Sequence, residues 1–92
     1  MKVTIEYFGQ LRQAAIAASE VMNVPDGATA QDAVRMAGSK YGGAFEQIVM
    51  GDRGEIRPSL MVVVNDQPIT KARPYPLKDG DRIALIAAIA GG

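Results

Sequence analysis

The chain has 92 residues, 10 of them basic and 10 acidic, a formal charge of zero and 48% hydrophobic residues. That is the size of one small domain, which buries about 60–65% of its unfolded surface and can fold without a metal or a disulfide. No basic cluster appears, which argues against a nucleic-acid or anionic-membrane partner. No apolar stretch reaches the length of a membrane-spanning helix. The opening residues Met1-Lys2-Val3-Thr4-Ile5 lack the apolar core of a secretory signal. A cytoplasmic protein is expected.

The chain contains no cysteine and no histidine. Thiolate nucleophiles, soft metal sites, the commonest general base and every Ser–His–Asp or Cys–His arrangement are therefore excluded. Carboxylates, lysines, tyrosines and hydroxyls remain, a poor outfit for an enzyme acting alone.

Lys2 to Phe8 alternates, with Val3, Ile5 and Tyr7 on one face and Lys2, Thr4 and Glu6 on the other, so it predicts a half-buried strand. Gly9 breaks it. The Ala-rich stretch Leu11–Ala18 reads as either a helical turn or a loop. Ser19–Val24 returns as a second strand and closes an antiparallel hairpin. Pro25-Asp26-Gly27 is a turn. A helix follows, with Thr29 as N-cap, Asp32 as the acid of a capping box, and Ala30, Ala33, Val34, Ala37 and Tyr41 along one face. Gly42-Gly43 ends it. Lys40 complements its dipole. Ala44–Met50 suggests a short second helix with Phe45, Ile48 and Val49 inward.

Gly51–Gly54 forms a turn. Leu60-Met61-Val62-Val63-Val64 is the strongest strand, and its unbroken apolar character predicts burial on both faces or a central position. Asn65-Asp66-Gln67 turns the chain, and Pro68-Ile69 reads as a short edge strand. Residues 70–78 form a loop in which Lys71, Arg73 and Lys78 are solvated. Asp79-Gly80-Asp81 turns into a last strand from Arg82 to about Ala87, with the two aspartates as a solvated turn. Met22, Met36, Met50 and Met61 read as core or gap-filling residues. The whole is an α+β domain, residues 1–92, with one main crossover helix lying on a mixed sheet of four to five strands. The first and last strands can both be central only side by side.

Beyond the last strand stand Ala87, Ala88, Ile89, Ala90, Gly91 and Gly92. Two glycines carry no Cβ to crowd a carboxylate, so such a segment can thread a narrow channel in a partner. This points to the backbone carboxylate of Gly92 as the reactive group, with residues 87–92 as a presented tail.

The hairpin, the crossover helix, the V-V-V-N-D turn at Val62–Asp66, the run Leu77-Lys78-Asp79-Gly80-Asp81-Arg82-Ile83-Ala84 and the Gly-Gly pair together resemble the ubiquitin-like β-grasp sulfur carriers (the MoaD/ThiS family). That group includes the small subunit of molybdopterin synthase and the thiamine-pathway carrier. The segment Gly51–Pro58 and the A-I-A-G-G run are also similar to the carrier of a cysteine-biosynthesis route. The resemblance implies that an activating enzyme, using ATP and Mg²⁺, adenylates the Gly92 carboxylate, and that sulfur then displaces AMP to leave a thiocarboxylate. It implies no cofactor held by this chain itself. The implied partners are the adenylating enzyme and a sulfur acceptor, first a molybdopterin synthase large subunit and next a cysteine synthase-like enzyme. Ile86, Ala87, Ala88, Ile89, Ala90 and Gly91 would contact the partner. A protein modifier joined to lysines through Gly92 and a non-catalytic interaction module are the alternatives.

Overall fold

The computed structural model describes residues 1–87. In chain order its elements are β1 (Lys2–Gly9), α1 (Gln10–Ala14), β2 (Ser19–Asn23), α2 (Ala30–Tyr41), α3 (Gly43–Val49), β3 (Leu60–Val64), β4 (Gln67–Pro68) and β5 (Arg82–Ala87). Among the described residues they form one five-stranded sheet in the order β2-β1-β5-β3-β4. β1 and β5 run parallel in the middle, and every other pair is antiparallel. The expected adjacency of first and last strands is thus present. No helix among the described residues is long and apolar enough to cross a membrane.

The alternation in the strands sets the layers. Val3, Ile5 and Tyr7 of β1, Leu60, Val62 and Val64 of β3, and Ile83, Leu85 and Ala87 of β5 all turn to one side of the sheet and are buried. α2 covers that side with Ala30, Ala33, Val34 and Ala37, each without measurable exposure. Their small side chains let the helix lie close to the strands. The Thr29 hydroxyl accepts from the Asp32 amide at 3.1 Å, and the Asp32 carboxylate accepts from the Thr29 amide at 2.9 Å. This is the expected capping box. α3 adds Phe45 and Val49 to the core, while Ile48 is only half-buried.

Two expectations need correction. Of the two alternatives for β3 the internal position holds, between β5 and β4, while burial on both faces does not: Met61 is 51% exposed and Val63 is partly so. The run is apolar on both faces, but among the described residues no helix lies over the second face, so Met61 is not a core residue. Lys71 is not free in solvent: its ammonium donates to the carbonyl of Pro58 at 3.1 Å and to that of Leu60, tying the 70–78 loop to the start of β3. Lys40 stands in the last turn of α2, as expected, and also pairs with Glu20.

The Asp79-Gly80-Asp81 turn also differs from a solvated one. Asp81 is 9% exposed. One of its carboxylate oxygens accepts from the Asn65 side-chain amide at 2.8 Å, and the other accepts from the Lys78 backbone amide at 2.8 Å. Asn65 in turn accepts from the Arg82 amide at 2.9 Å. Asn65 and Asp66 both adopt positive φ, 49° and 69°, the geometry of a tight two-residue hairpin turn between β3 and β4. The N-D and D-G-D motifs are therefore one hydrogen-bonded knot that pins the start of β5 beside the end of β3.

A second polar cluster joins sheet to helix. Glu20, on the inward side of β2, accepts from the Tyr7 hydroxyl at 2.8 Å, from the Tyr41 hydroxyl and from the Lys40 ammonium. The Tyr7 ring meets Tyr41 and Phe45 edge-on, with centroids 5.8 and 5.4 Å away. Burial, reinforced by the Glu20 carboxylate, pushes the Tyr7 phenol well above its ordinary range. Tyr41 is raised by the same two causes. Burial pushes the Glu20 carboxyl up, but hydrogen bonds from Lys40, Tyr41 and Tyr7 outweigh it and hold the group below its usual value.

Two stability measurements follow. Asp81→Ala leaves two donors without their acceptor, so the urea midpoint is expected to fall by the equivalent of about 1–3 kcal/mol. The second concerns pH. The lowered Glu20 value means its contribution is complete above about pH 4.3 and is lost as pH falls through the folded value. The stability difference between wild type and Glu20→Gln should therefore be largest near neutrality and shrink below about pH 4. The raised tyrosines have the opposite sign: their contribution is complete below about pH 10 and declines as pH rises through their folded values.

Candidate functional site

The parallel pairing of β1 with β5 decides where the chain leaves the sheet. Parallel neighbours end on the same edge, so Gly9 at the end of β1 lies opposite Ala87 at the end of β5. β3 is antiparallel to β5 and starts there, with Leu60 opposite Ala87 on the other side. The exit is therefore in the middle of a sheet edge, flanked by two strands and not at a frayed margin. The Asp81 knot lies at the far end of the same strand.

Ala87 itself is a correction to the expected tail. It is paired on both sides and only 6% exposed, so its side chain belongs to the core. Its place on the inward face follows from the Ile83, Leu85, Ala87 alternation. Ile86 lies on the opposite, uncovered face and is half-buried. Ala88, Ile89, Ala90, Gly91 and Gly92 lie outside the described residues.

The uncovered face varies along the strands. Nearest the exit, Phe8, Ile86 and Met61 stand side by side in register on β1, β5 and β3. Phe8 is 46% exposed. The next row is Glu6, Ala84 and Val63, with Pro68 beyond. Farther still, Arg82 contacts Glu6 at 3.4 Å and Asp66 at 2.9 Å. The face thus carries an apolar row beside the exit and its charged pairs away from it, where Val21 on β2 is also exposed. Phe8 and Met61 are two large exposed apolar side chains in one contiguous row, while Val21 on β2 and Ile16 are exposed apart from that row; a contiguous apolar row is the kind of feature that marks a contact surface.

The side chains offer little chemistry of their own. Among the described residues no group of three carboxylates stands close enough to hold a metal ion. Asp79 and Asp81 do not face a common substrate: Asp79 accepts from the Lys2 amide at 2.8 Å, and Asp81 is consumed in its knot. Tyr7 and Glu20 face each other inside the fold. Sequence reading placed Ile86 as a docking residue but missed Phe8 and Met61. Their signal was available in the alternation of β1 and β3, once the uncovered face was known.

Comparison with known proteins agrees with this architecture. The ThiS family profile matches residues 5–92. No curated protein sequence matches the chain. The crystal structure of SAMP1 from Haloferax volcanii superposes with a TM-score of 0.88 at 25% identity, over the whole of both chains. The small archaeal modifier protein 1 from Methanosarcina acetivorans gives 0.80 at 23% identity, covering 99% of this chain and 96% of that one. One chain of the complex of subunit 1 and 2 of the molybdopterin-converting factor from Helicobacter pylori gives a TM-score of 0.60 at 23% identity, over the full length of this chain and of that one. Below 25% identity such likeness speaks to the fold alone. With a mixed five-stranded sheet, its one long helix and a profile match spanning nearly all its residues, the chain belongs to the ThiS family of ubiquitin-like β-grasp proteins.

Proposed function

We propose that this protein is a sulfur carrier whose working group is the backbone carboxylate of Gly92. The observation that carries this reading is the family match, which runs through Gly92. A carboxylate is a poor electrophile, because resonance and negative charge both repel a nucleophile. An adenylating partner removes that obstacle: the carboxylate oxygen attacks the α-phosphorus of Mg²⁺-bound ATP, and pyrophosphate leaves. The product is an acyl-adenylate. Sulfide sulfur then attacks the acyl carbon, expels AMP and leaves a thiocarboxylate directly; with a persulfide donor the first product is an acyl disulfide, and a second thiolate attacks the donor's sulfur, forming a disulfide with the donor and releasing the thiocarboxylate. Its ionised sulfur passes to an acceptor in a second enzyme.

None of these steps draws on a side chain of this protein, which suits a chain without cysteine or histidine. Its own work is mechanical. The buried end of β5 supplies a firm base, and the five residues after Ala87 span at most about 17 Å when extended. The Phe8, Ile86 and Met61 row beside the exit gives a partner apolar area to close on. As sulfur acceptor we favour a molybdopterin synthase large subunit, since the Helicobacter pylori neighbour was solved with its own subunit 2. A cysteine synthase-like enzyme is the next choice. The cytoplasm, with its ATP and reduced sulfur, is the proposed location.

A second reading, a protein modifier, is favoured by the full-length likeness to SAMP1 at 25% identity. Both readings share the adenylate and part at the nucleophile, sulfur in one and a lysine amine in the other.

Deletion of Gly92 tests the shared step. The truncated chain is expected to unfold at the same urea concentration as wild type and to show no ATP-dependent mass change in native cell extract; activation of the truncated chain contradicts the proposal. Met61→Asp tests the contact surface. It should change stability by no more than about 0.5 kcal/mol, as surface substitutions do, yet weaken binding to the adenylating enzyme in a pull-down assay. Unaltered binding would remove this row from the interface.

A further inference from the structure

Gly9 is both the last residue of β1 and the residue that leads into α1, with φ 66° and ψ −136°. Residues with a Cβ rarely adopt that conformation. The site is also closed by contact. A Cβ built on Gly9 stands 2.6 Å from the carbonyl oxygen of Ala87, 3.7 Å from its carbonyl carbon and 3.8 Å from its nitrogen. The first distance is far inside van der Waals range, and the atom met is backbone, which cannot swing aside as a side chain can.

That carbonyl belongs to the peptide unit joining residue 87 to residue 88. The unit is planar and stiff, so displacing its oxygen turns the whole plane and with it the direction of the next residue. In the extended form that a narrow channel requires, a tilt of about 10° at the base moves the tip of a five-residue segment by about 3 Å. A misplacement of about 1 Å can cost a hundredfold in rate.

We infer that Gly9 is a positioning residue for the carboxylate chemistry: by carrying no side chain, it leaves the Ala87 peptide undisturbed and so aims the residues that follow at the partner's ATP. This rests on the sulfur-carrier reading. Gly9 touches no reacting atom; it acts through Ala87.

The decisive comparison is between Gly9→Ala and Gly80→Ala. Gly80 also has positive φ, 88°, but a Cβ there meets nothing within 4 Å, and the residue lies in the turn before β5 at the opposite end of that strand. It imposes similar backbone strain without touching Ala87. Each protein is assayed by ATP–pyrophosphate exchange with the adenylating enzyme purified from the native cell, at a temperature where urea titration shows it folded. For Gly9→Ala, kcat is expected to fall about a hundredfold while KM for the carrier stays within about twofold, because the docking face is intact. Gly80→Ala should match wild type in both constants. In parallel, the Ala87 carbonyl NMR shift should move in the Gly9 variant and not in the Gly80 variant. If alanine at position 9 unfolds the chain in buffer, all three proteins are assayed in an osmolyte such as trimethylamine N-oxide, which favours the folded state. Undiminished kcat in the Gly9 variant, or equal losses in both variants, overturns the inference. A wild-type chain that supports no exchange overturns instead the reading on which it rests.

Discussion

The pairing of β1 with β5 is the constraint on which the rest of the molecule depends. The two strands are parallel and adjacent, yet they lie at opposite ends of the chain. A parallel pair cannot be closed by a hairpin and needs a long crossover. Everything from α1 to the Asp81 turn is that crossover, wrapped so that α2 covers one face and β3 reaches the far side of β5. Parallel strands in the centre also finish on the same edge. The exit point thus lies in the best-supported part of the sheet, anchored by buried Leu85 and Ala87.

The two ends of β5 divide the work. At its start, Asp81, Asn65 and the Lys78 amide form a closed hydrogen-bonded knot that sets where the strand begins. At its end, Gly9 and Leu60 flank the last paired residue. The open face between them holds Phe8, Ile86 and Met61 beside the exit and the ion pairs of Arg82 at the far end. In the sulfur-carrier reading, this arrangement places adhesive surface where a partner must hold the chain while it handles the carboxylate. The stable core is then a mount, and the chemistry is done by a main-chain group with enzymes supplied from outside.

Much of this was legible in the sequence, and the failures are instructive. Alternation exposed β1 and β5, and Thr29 with Asp32 marked the start of α2, because these signals are local. The apolar run Leu60–Val64 was ambiguous because a strand covered on one face and apolar on both looks the same as one covered twice. Only the placement of the helices shows that Met61 is bare. Ala87 read as tail because alanine is uninformative, although its parity with Ile83 and Leu85 placed it inward. The Tyr7, Glu20, Tyr41 and Lys40 cluster joins residues up to 34 apart in sequence, beyond any local pattern. Gly9 was visible as a strand breaker, but its contact with Ala87 depends on the parallel register and has no local trace.

The central claim is that bonds are made and broken at the carboxylate of Gly92. The most direct measurement incubates the chain with ATP and a sulfide donor in native cell extract, cleaves it with trypsin after Arg82 and weighs the peptide 83–92. The account predicts sulfur in place of one oxygen on the terminal residue. A peptide that keeps its plain carboxylate would contradict it; one joined through Gly92 to a lysine of another protein would keep the reactive group and select the modifier reading.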